Sequence, residues 1–355
     1  MDISIITASD IAGGAEAHTV ALAMGLSHRA HRIFLYGRCA GWPDDQLPRQ
    51  DLPLGPKWSR RTILPGLTRI PAERRWVRSL PTAAAYYMQF KREQIAFSAD
   101  LAAGAPVIWT EHGRWLGGLF GGALRNRYAA ASRHVSRIVC VSGEVAADLA
   151  EFVNPKKLVV IPNAVDTNRY SVPDEESKRL LRDRLLPEHW RGRAVAVMAS
   201  RLSADKRHDR AIALARAAEI PLAVVGDGPD RGRLEEVAAG SPDVLFLGYR
   251  QDIQDVLKAA DCYIYSGGRT DGMPMAVLEA GATGLPLVGF AGDPGSDVIT
   301  NSGGLLIGED ERPSAADLAA LVAKASTSRD YVLRHHGKDR WLDAFEALFS
   351  DVTGT

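Results

Sequence analysis

Leu222-Ala223-Val224-Val225-Gly226-Asp227-Gly228-Pro229-Asp230 carries the pattern from which the architecture of the chain can be read. Four apolar residues, two of them β-branched, are stopped by glycines, and a polar, helix-compatible run starts at Asp230. A short apolar run bounded by turn residues reads as a buried strand. Strand, glycine turn and helix in succession make one step of an open parallel sheet.

The same step repeats on both sides. Strands are expected at 194–199, 222–225, 244–247, 262–265, 287–290 and 304–307, with helices between them at about 206–218, 230–239, 251–259, 274–283 and 314–326. Upstream, strands are expected at 3–7, 32–36, 107–110, 137–141 and 158–161, with helices at 17–26, 83–103, 123–133 and 144–152. Apolar strands alternating with helices predict parallel sheets covered on both faces. The expected fold is therefore α/β, with two Rossmann-like domains whose parallel sheets face each other across a cleft. Expected boundaries are an N-terminal domain at 1–164, a linker at 165–192, a second domain at 193–330 and a C-terminal helical segment at 331–355. That last helix carries Trp341, Phe345 and Phe349 at i, i+4 and i+8, a packing stripe directed back towards the first domain. Residues 39–81 are rich in Pro, Trp and Arg and predict no element.

A chain of 355 residues fits two domains. Its formal net charge of zero gives nucleic acid no electrostatic footprint. Cys39, Cys140 and Cys262 stand far apart and lack metal-ligand spacing. The N-terminus has an early acid and no long apolar run, so a cytoplasmic protein is expected.

Open parallel sheets bind ligands at the carboxyl ends of their strands. Gly13, Gly14, His112, Ser142 and Asn163 fall there in the first half. Arg201, Lys206, Gly226, Gly228, Gly248, Ser266 and Asp271 fall there in the second. Arg201 and Lys206 flank the turn after strand 194–199, where a guanidinium fork and an ammonium could neutralise a diphosphate. The run Asp271-Gly272-Met273-Pro274-Met275 leads into a helix bearing Glu279, two carboxylates around a helix start that favours an anion. A nucleotide sugar has matching chemistry, with phosphates in the middle and hydroxylated rings at both ends; an amphipathic core helix is the competing reading. His112 could bond a sugar hydroxyl or assist proton transfer, or be purely structural. Gly226, Gly228 and Gly232 have G-x-G-x-x-x-G spacing, which raises a nicotinamide enzyme as an alternative. Against it, the turn follows the second strand of its series instead of opening a domain, and Pro229 stiffens it. No Walker motif and no D-x-D triplet occur.

The second half resembles the family-4 retaining glycosyltransferases of the GT-B fold. The matching segments are Ser200-Arg201-Leu202 with Lys206-Arg207, then Gly226-Asp227-Gly228-Pro229, then Asp271 through Glu279 in place of an E-x7-E element. Gly13-Gly14-Ala15-Glu16, Val139-Cys140-Val141-Ser142 and Ile161-Pro162-Asn163-Ala164 are similar to further family segments. The resemblance implies that Arg201 and Lys206 bind the donor diphosphate and that Glu279 binds the ribose. Asp271 would hold the donor sugar, and Gly272, Met273, Pro274 and Met275 would meet sugar and phosphate through backbone. Gly248, Tyr249 and Arg250 would lie beside the base, and Gly13, Gly14 and His112 would approach from the first domain, with Ser142 and Asn163 on the acceptor side. Asp271, His112, Arg201 and Lys206 form the expected catalytic set. The implied reaction retains anomeric configuration and requires no metal or other cofactor.

Three departures stand out. Asp271 is one methylene shorter than the family Glu. Ser200 and Arg207 replace glycines beside the diphosphate turn. Pro294-Gly295-Ser296-Asp297 replaces a Pro-Glu element. They keep a non-catalytic nucleotide-sugar-binding subunit open as an alternative, with a nucleotide-sugar epimerase behind it. The acceptor is expected to be a sugar, a polysaccharide or a lipid-linked intermediate. Residues 57–78 carry Lys57, Arg60, Arg61, Arg69, Arg74, Arg75 and Arg78 against the single acid Glu73, with Trp58 and Trp76. That segment reads as a solvated basic surface, as a site for an anionic acceptor, or as peripheral contact with the inner face of a membrane.

Overall fold

A computed structural model describes residues 1–11, 13–55, 63–115, 121–268, 270–308, 311, 315–323 and 327–355. The chain divides into two compact units, Met1–Asn163 with Trp341–Thr355, and Ala164–Arg340.

Unit 1 contains β1 (Asp2–Ser9), α1 (Gly14–His28), β2 (Arg32–Cys39), β3 (Arg49–Gln50), α2 (Ile63–Arg78), β4 (Ala85–Met88), α3 (Lys91–Leu101), β5 (Val107–Glu111), α4 (Gly121–Ser132), β6 (Arg137–Cys140), α5 (Gly143–Ala150) and β7 (Leu158–Val160). Among the described residues its strands form one sheet in the order β3-β2-β1-β4-β5-β6-β7, and the pairings are parallel.

Here the structure corrects the first part of the helix expected at 83–103, whose remainder is α3. Ala85-Tyr86-Tyr87-Met88 is a strand, buried throughout, wedged between β1 and β5 with Tyr86 opposite both Ser4 and Val107. The alanines before it suggested a helix, but a slot in the sheet outweighs a local preference of a few tenths of a kcal/mol per residue.

Unit 2 contains α6 (Glu175–Leu185), β8 (Ala196–Ala199), α7 (His208–Ala217), β9 (Leu222–Val225), α8 (Arg231–Ala238), β10 (Val244–Gly248), α9 (Ile253–Ala259), β11 (Cys262–Ile264), α10 (Met275–Ala282), β12 (Leu287–Phe290), α11 (Ser296–Asn301), β13 (Leu305–Ile307), α12 (Ala315–Ala323) and α13 (Ser328–His336). Its sheet runs β10-β9-β8-β11-β12-β13. The strand order reverses between β8 and β11, where Ala196 pairs with Cys262 and Val197 with Tyr263. Helices leave neighbouring strands towards opposite faces at such a reversal, which opens a crevice at their carboxyl ends.

Two further expectations change. The segment 165–192, expected to be a linker that is irregular or loosely helical, contains α6, which belongs to unit 2. Asp174 caps that helix by accepting from the Ser177 amide at 2.6 Å. Lys178 and Arg182 on it reach Asp261 at 2.7 and 2.6 Å, and Asp261 also accepts from the Val195 amide at 2.8 Å. No apolar stripe announced the helix because charges fasten it. The single final helix expected from 331 is instead α13 and then α14 (Lys338–Thr353), separated at Gly337. From Trp341 onward α14 belongs to unit 1. It lies so close to α1 that a Cβ on Gly25 would stand 2.5 Å from Leu342, and Arg29 and His31 bond Asp343 and Glu346 at 2.6 and 2.8 Å.

Candidate active site

The strand reversal in unit 2 gathers the predicted donor residues. β8 ends at Ala199 and the chain turns through Ser200-Arg201-Leu202. The Ser200 amide donates to Val225 O at 3.1 Å, the Leu202 amide to Asp227 O at 3.0 Å, and the Asp230 amide to Leu202 O at 3.0 Å. This backbone interlock explains the glycines. A Cβ on Gly226, whose φ is +132°, would stand 2.0 Å from Ser200 O, and one on Gly228 would stand 2.2 Å from Leu202 O. The Gly226 amide also donates to Gly248 O at 2.8 Å, tying in the end of β10. The first duty of the Gly226-Asp227-Gly228 turn is thus to let two loops touch. Leu202 is buried beneath the turn while Arg201 is exposed, and no ion pair holds Arg201 among the described residues.

The chain then makes a short 3₁₀ turn, Ala204–Lys206, and passes through Arg207 at φ +50° and ψ +40°. This left-handed conformation is the one a glycine would adopt freely, so the arginine is held there at a cost of about 1–2 kcal/mol. His208 follows, fully buried, with Nε2 3.0 Å from the Ser200 hydroxyl; burial pulls its pKa down to about 4. Ser200 and Arg207 therefore act on the turn's geometry, one through a buried imidazole and the other through its own backbone.

Asp271 sits opposite. Its Oδ1 forms an ion pair with Lys206, its Oδ2 accepts from the Tyr265 hydroxyl at 2.9 Å, and its amide donates to Gly268 O at 3.0 Å. Gly272, Met273 and Pro274 are buried, and α10 starts at Met275 with Pro274 at its cap position. Glu279, within α10, has its carboxyl raised by burial, an effect opposed by a hydrogen bond with Tyr170 and by the nearby Arg169. Arg169 also reaches Gln254 Oε1 at 3.2 Å. Asp293, after β12, is raised by burial against the pull of Arg210, which contacts it at 3.2 Å and stacks 3.8 Å over Phe290. Asp297 is exposed on α11. Tyr249 is 71% exposed, and Arg250 forks onto Asp252 at 2.8 and 2.6 Å.

Unit 1 gathers a separate polar cluster at its own reversal, between β1 and β4. Gly13 is the extended N-cap residue of α1, and a Cβ there would stand 2.9 Å from the Glu16 carboxylate, which accepts from Ser9. Gly14 opens α1. His112 has Nε2 3.2 Å from Gln89 Oε1 and packs edge-on to His18 at 4.7 Å. His18 Nδ1 donates to Asn163 Oδ1 at 3.2 Å and its Nε2 accepts from Tyr87 at 3.2 Å, within reach of the Trp341 and Phe345 rings. Burial lowers the His18 pKa to about 4. Asn163 is thus tied to His18, and the buried Ser142 hydroxyl caps α5 by accepting from the Val145 amide at 3.3 Å.

Arg169, Tyr170, Tyr265 and His18 were not singled out by the sequence reading. The first two lay in the expected linker. The others gave no signal, because a tyrosine at a strand end and a histidine on a helix are ordinary core residues. Of the basic segment, Lys57, Trp58, Arg60 and Arg61 lie outside the described residues. Arg74 and Arg78 both bond Asp100, at 3.0 and 2.7 Å, while Arg69, Arg75 and Trp76 are exposed on α2. No helix among the described residues is long and apolar enough to cross a membrane. Nor do the described residues bring three or more His, Cys, Asp or Glu side chains together as metal ligands.

Two Rossmann-like units with charged side chains at the strand reversal of the second define a GT-B glycosyltransferase fold. Residues 12–169 match the family model Glycosyltransferase Family 4 and residues 193–325 match Glycosyl transferases group 1, and the chain belongs to these glycosyltransferases. It is 31% identical over 163 residues to a GDP-mannose-dependent alpha-mannosyltransferase of Mycobacterium tuberculosis, covering 44% of this chain and 41% of that one. It is 30% identical over 174 residues to a UDP-Gal:alpha-D-GlcNAc-diphosphoundecaprenol alpha-1,3-galactosyltransferase of Escherichia coli, covering 44% and 43%. These matches span less than half the length of either relative. Anabaena HepE, solved in complex with UDP, superposes with a TM-score of 0.80 at 16% identity, covering 99% of this chain and 100% of that one. Sucrose-phosphate synthase of Thermosynechococcus elongatus superposes with 0.79 at 15% identity, covering 99% of each.

Proposed function

We propose that this chain transfers a glycosyl group from a nucleotide diphosphate sugar to a hydroxyl acceptor, retaining the anomeric configuration and using no metal. The carrying observation is the exposed Arg201, without a carboxylate partner among the described residues, in the same β8–α7 connection as Lys206 at the strand reversal of unit 2. Two cations there can meet the charge that grows on a departing diphosphate. Glu279, flanked by Tyr170 and Arg169, supplies acceptors for ribose hydroxyls. Asp271 and the buried backbone from Gly272 to Pro274 take the donor sugar, with Gly248 to Arg250 beside the base. On this reading the acceptor hydroxyl attacks on the face the leaving group departs from, and a departing phosphate oxygen takes its proton.

The relatives' donors make GDP-mannose and UDP-galactose the first two to screen, and a lipid-linked glycan is one acceptor class. Glu279→Ala and Lys206→Ala are expected each to cut turnover by about 10- to 150-fold, the worth of one charged hydrogen bond. Normal rates in both variants would overturn the reading. Donor binding without turnover across an acceptor screen would favour a binding subunit instead. Chelator should leave turnover intact, and the product anomer should match the donor's. The exposed Arg69, Arg75 and Trp76 on α2 support peripheral contact with an anionic bilayer. Co-sedimentation with phosphatidylglycerol vesicles at low but not high salt is expected, and no binding at low salt would remove this contact.

A further inference from the structure

The hydroxyl of Tyr265 has no part in the reading above, yet the loop is built around it. Tyr265 follows β11, is 5% exposed, and donates to Asp271 Oδ2 at 2.9 Å. A Cβ on Gly267 would lie 1.7 Å from the Tyr265 hydroxyl oxygen and 1.9 Å from its Cζ. Gly267 is therefore the residue that lets the tyrosine ring lie across the loop and reach the acid. Its neighbour has a matching constraint, since a Cβ on Gly268 would stand 2.8 Å from Asp205 O. The Ser266 hydroxyl donates to Lys206 O at 3.1 Å, so the Tyr265 loop and the Lys206 turn are held as one piece.

The two oxygens of Asp271 have different partners. Lys206 meets Oδ1 and Tyr265 meets Oδ2. Lys206 is a flexible ammonium that a diphosphate can draw away. Tyr265 is a buried phenol fixed by packing, and burial beside Asp271 pushes its ionisation well up, so it stays a donor throughout the working pH range. Asp271 is also a methylene shorter than glutamate, so its reach depends more on which way the carboxylate is turned.

We propose that Tyr265 is a positioning residue for Asp271: it anchors Oδ2 and leaves Oδ1 as the oxygen presented to a hydroxyl of the donor sugar. This rests on the donor-site reading above and adds a specificity determinant to it. Discrimination between sugars differing at that hydroxyl then depends on the Tyr265–Asp271 pair.

The test uses the full chain with Tyr265→Phe, which keeps the ring, and Gly267→Ala, which displaces it. GDP, UDP, GDP-mannose and UDP-galactose serve as titration probes, and steady-state kinetics follow with whichever nucleotide sugar binds. Nucleoside diphosphate affinity is expected to stay within about 2-fold in Tyr265→Phe, while kcat/KM for the nucleotide sugar falls about 10- to 100-fold in both variants. In an Asp271→Asn background, adding Tyr265→Phe should cost no more than about a further 2-fold, because the two residues act as one unit. Wild-type handling of the nucleotide sugar by Tyr265→Phe would overturn the assignment. So would an equal loss on the Asp271→Asn background, or a parallel loss of nucleoside diphosphate affinity. A wild-type chain that binds neither GDP nor UDP would overturn the donor-site reading, and this assignment with it, a result distinct from the other three.

Discussion

Glu279 is buried in a setting that disfavours its charge. Burial raises its carboxyl pKa, and the Tyr170 hydrogen bond with the Arg169 charge only partly offsets that. A carboxyl raised in the folded state contributes most stability below its unfolded pKa and loses that contribution as pH rises through the folded value. At neutral pH the ionised group is therefore a burden on the fold. Glu279→Gln is expected to raise the melting temperature at pH 7.5 while weakening nucleotide affinity, measured by thermal denaturation and titration on the same sample. A lower melting temperature would show that the charge is already well compensated. Arg207 is the second residue of this kind. Its left-handed backbone predicts that Arg207→Gly stabilises unit 2 by up to about 1 kcal/mol, the strain relieved less glycine's greater chain entropy. A loss of stability would mean that the Arg207 side chain, 3.8 Å from Asp209, contributes more than its backbone costs.

At the scale of elements, the alternating pattern located most strands of both sheets, because a strand buried on both faces must be apolar along its length. The misread elements share another cause. β4 is written in residues that also suit a helix, and only its place between β1 and β5 settles the matter. α6 is polar and held by charge, with Lys178, Arg182 and the Val195 amide converging on Asp261, whose own pKa they lower despite burial. Removing that carboxylate leaves two part-buried cations unpaired. Asp261→Ala is expected to destabilise unit 2 by about 2–4 kcal/mol. It should also release the α6 amides to hydrogen exchange before those of β8; exchange of both together would mean that α6 is held by more than this anchor.

At the scale of the whole molecule, both units contain a buried histidine whose pKa burial lowers to about 4, His18 in unit 1 and His208 in unit 2. A histidine depressed in the folded state supports folding fully above its unfolded pKa of about 6.5, and that support is lost as pH falls towards the folded value. At pH 5 the loss is about 2 kcal/mol for each. Urea unfolding at pH 7.5 and pH 5 should therefore show lower midpoints for both units at the acid pH, and His18→Gln should flatten the change in unit 1 alone. Local residue chemistry was enough for the fold class, for the glycine turn at Gly226 and Gly228, and for the charged residues Arg201, Lys206, Asp271 and Glu279 in the segments that follow strands. Each of these follows from local chemistry: a buried strand, a glycine turn that ends it, a cation or an acid beyond a strand end. The tertiary structure alone decided which groups those charges meet. Tyr170 reaches Glu279 across 109 positions of sequence, His18 reaches Asn163 across 145, and Lys206 reaches Asp271 across 65. Such pairings come from strand order and helix docking, which no local pattern encodes.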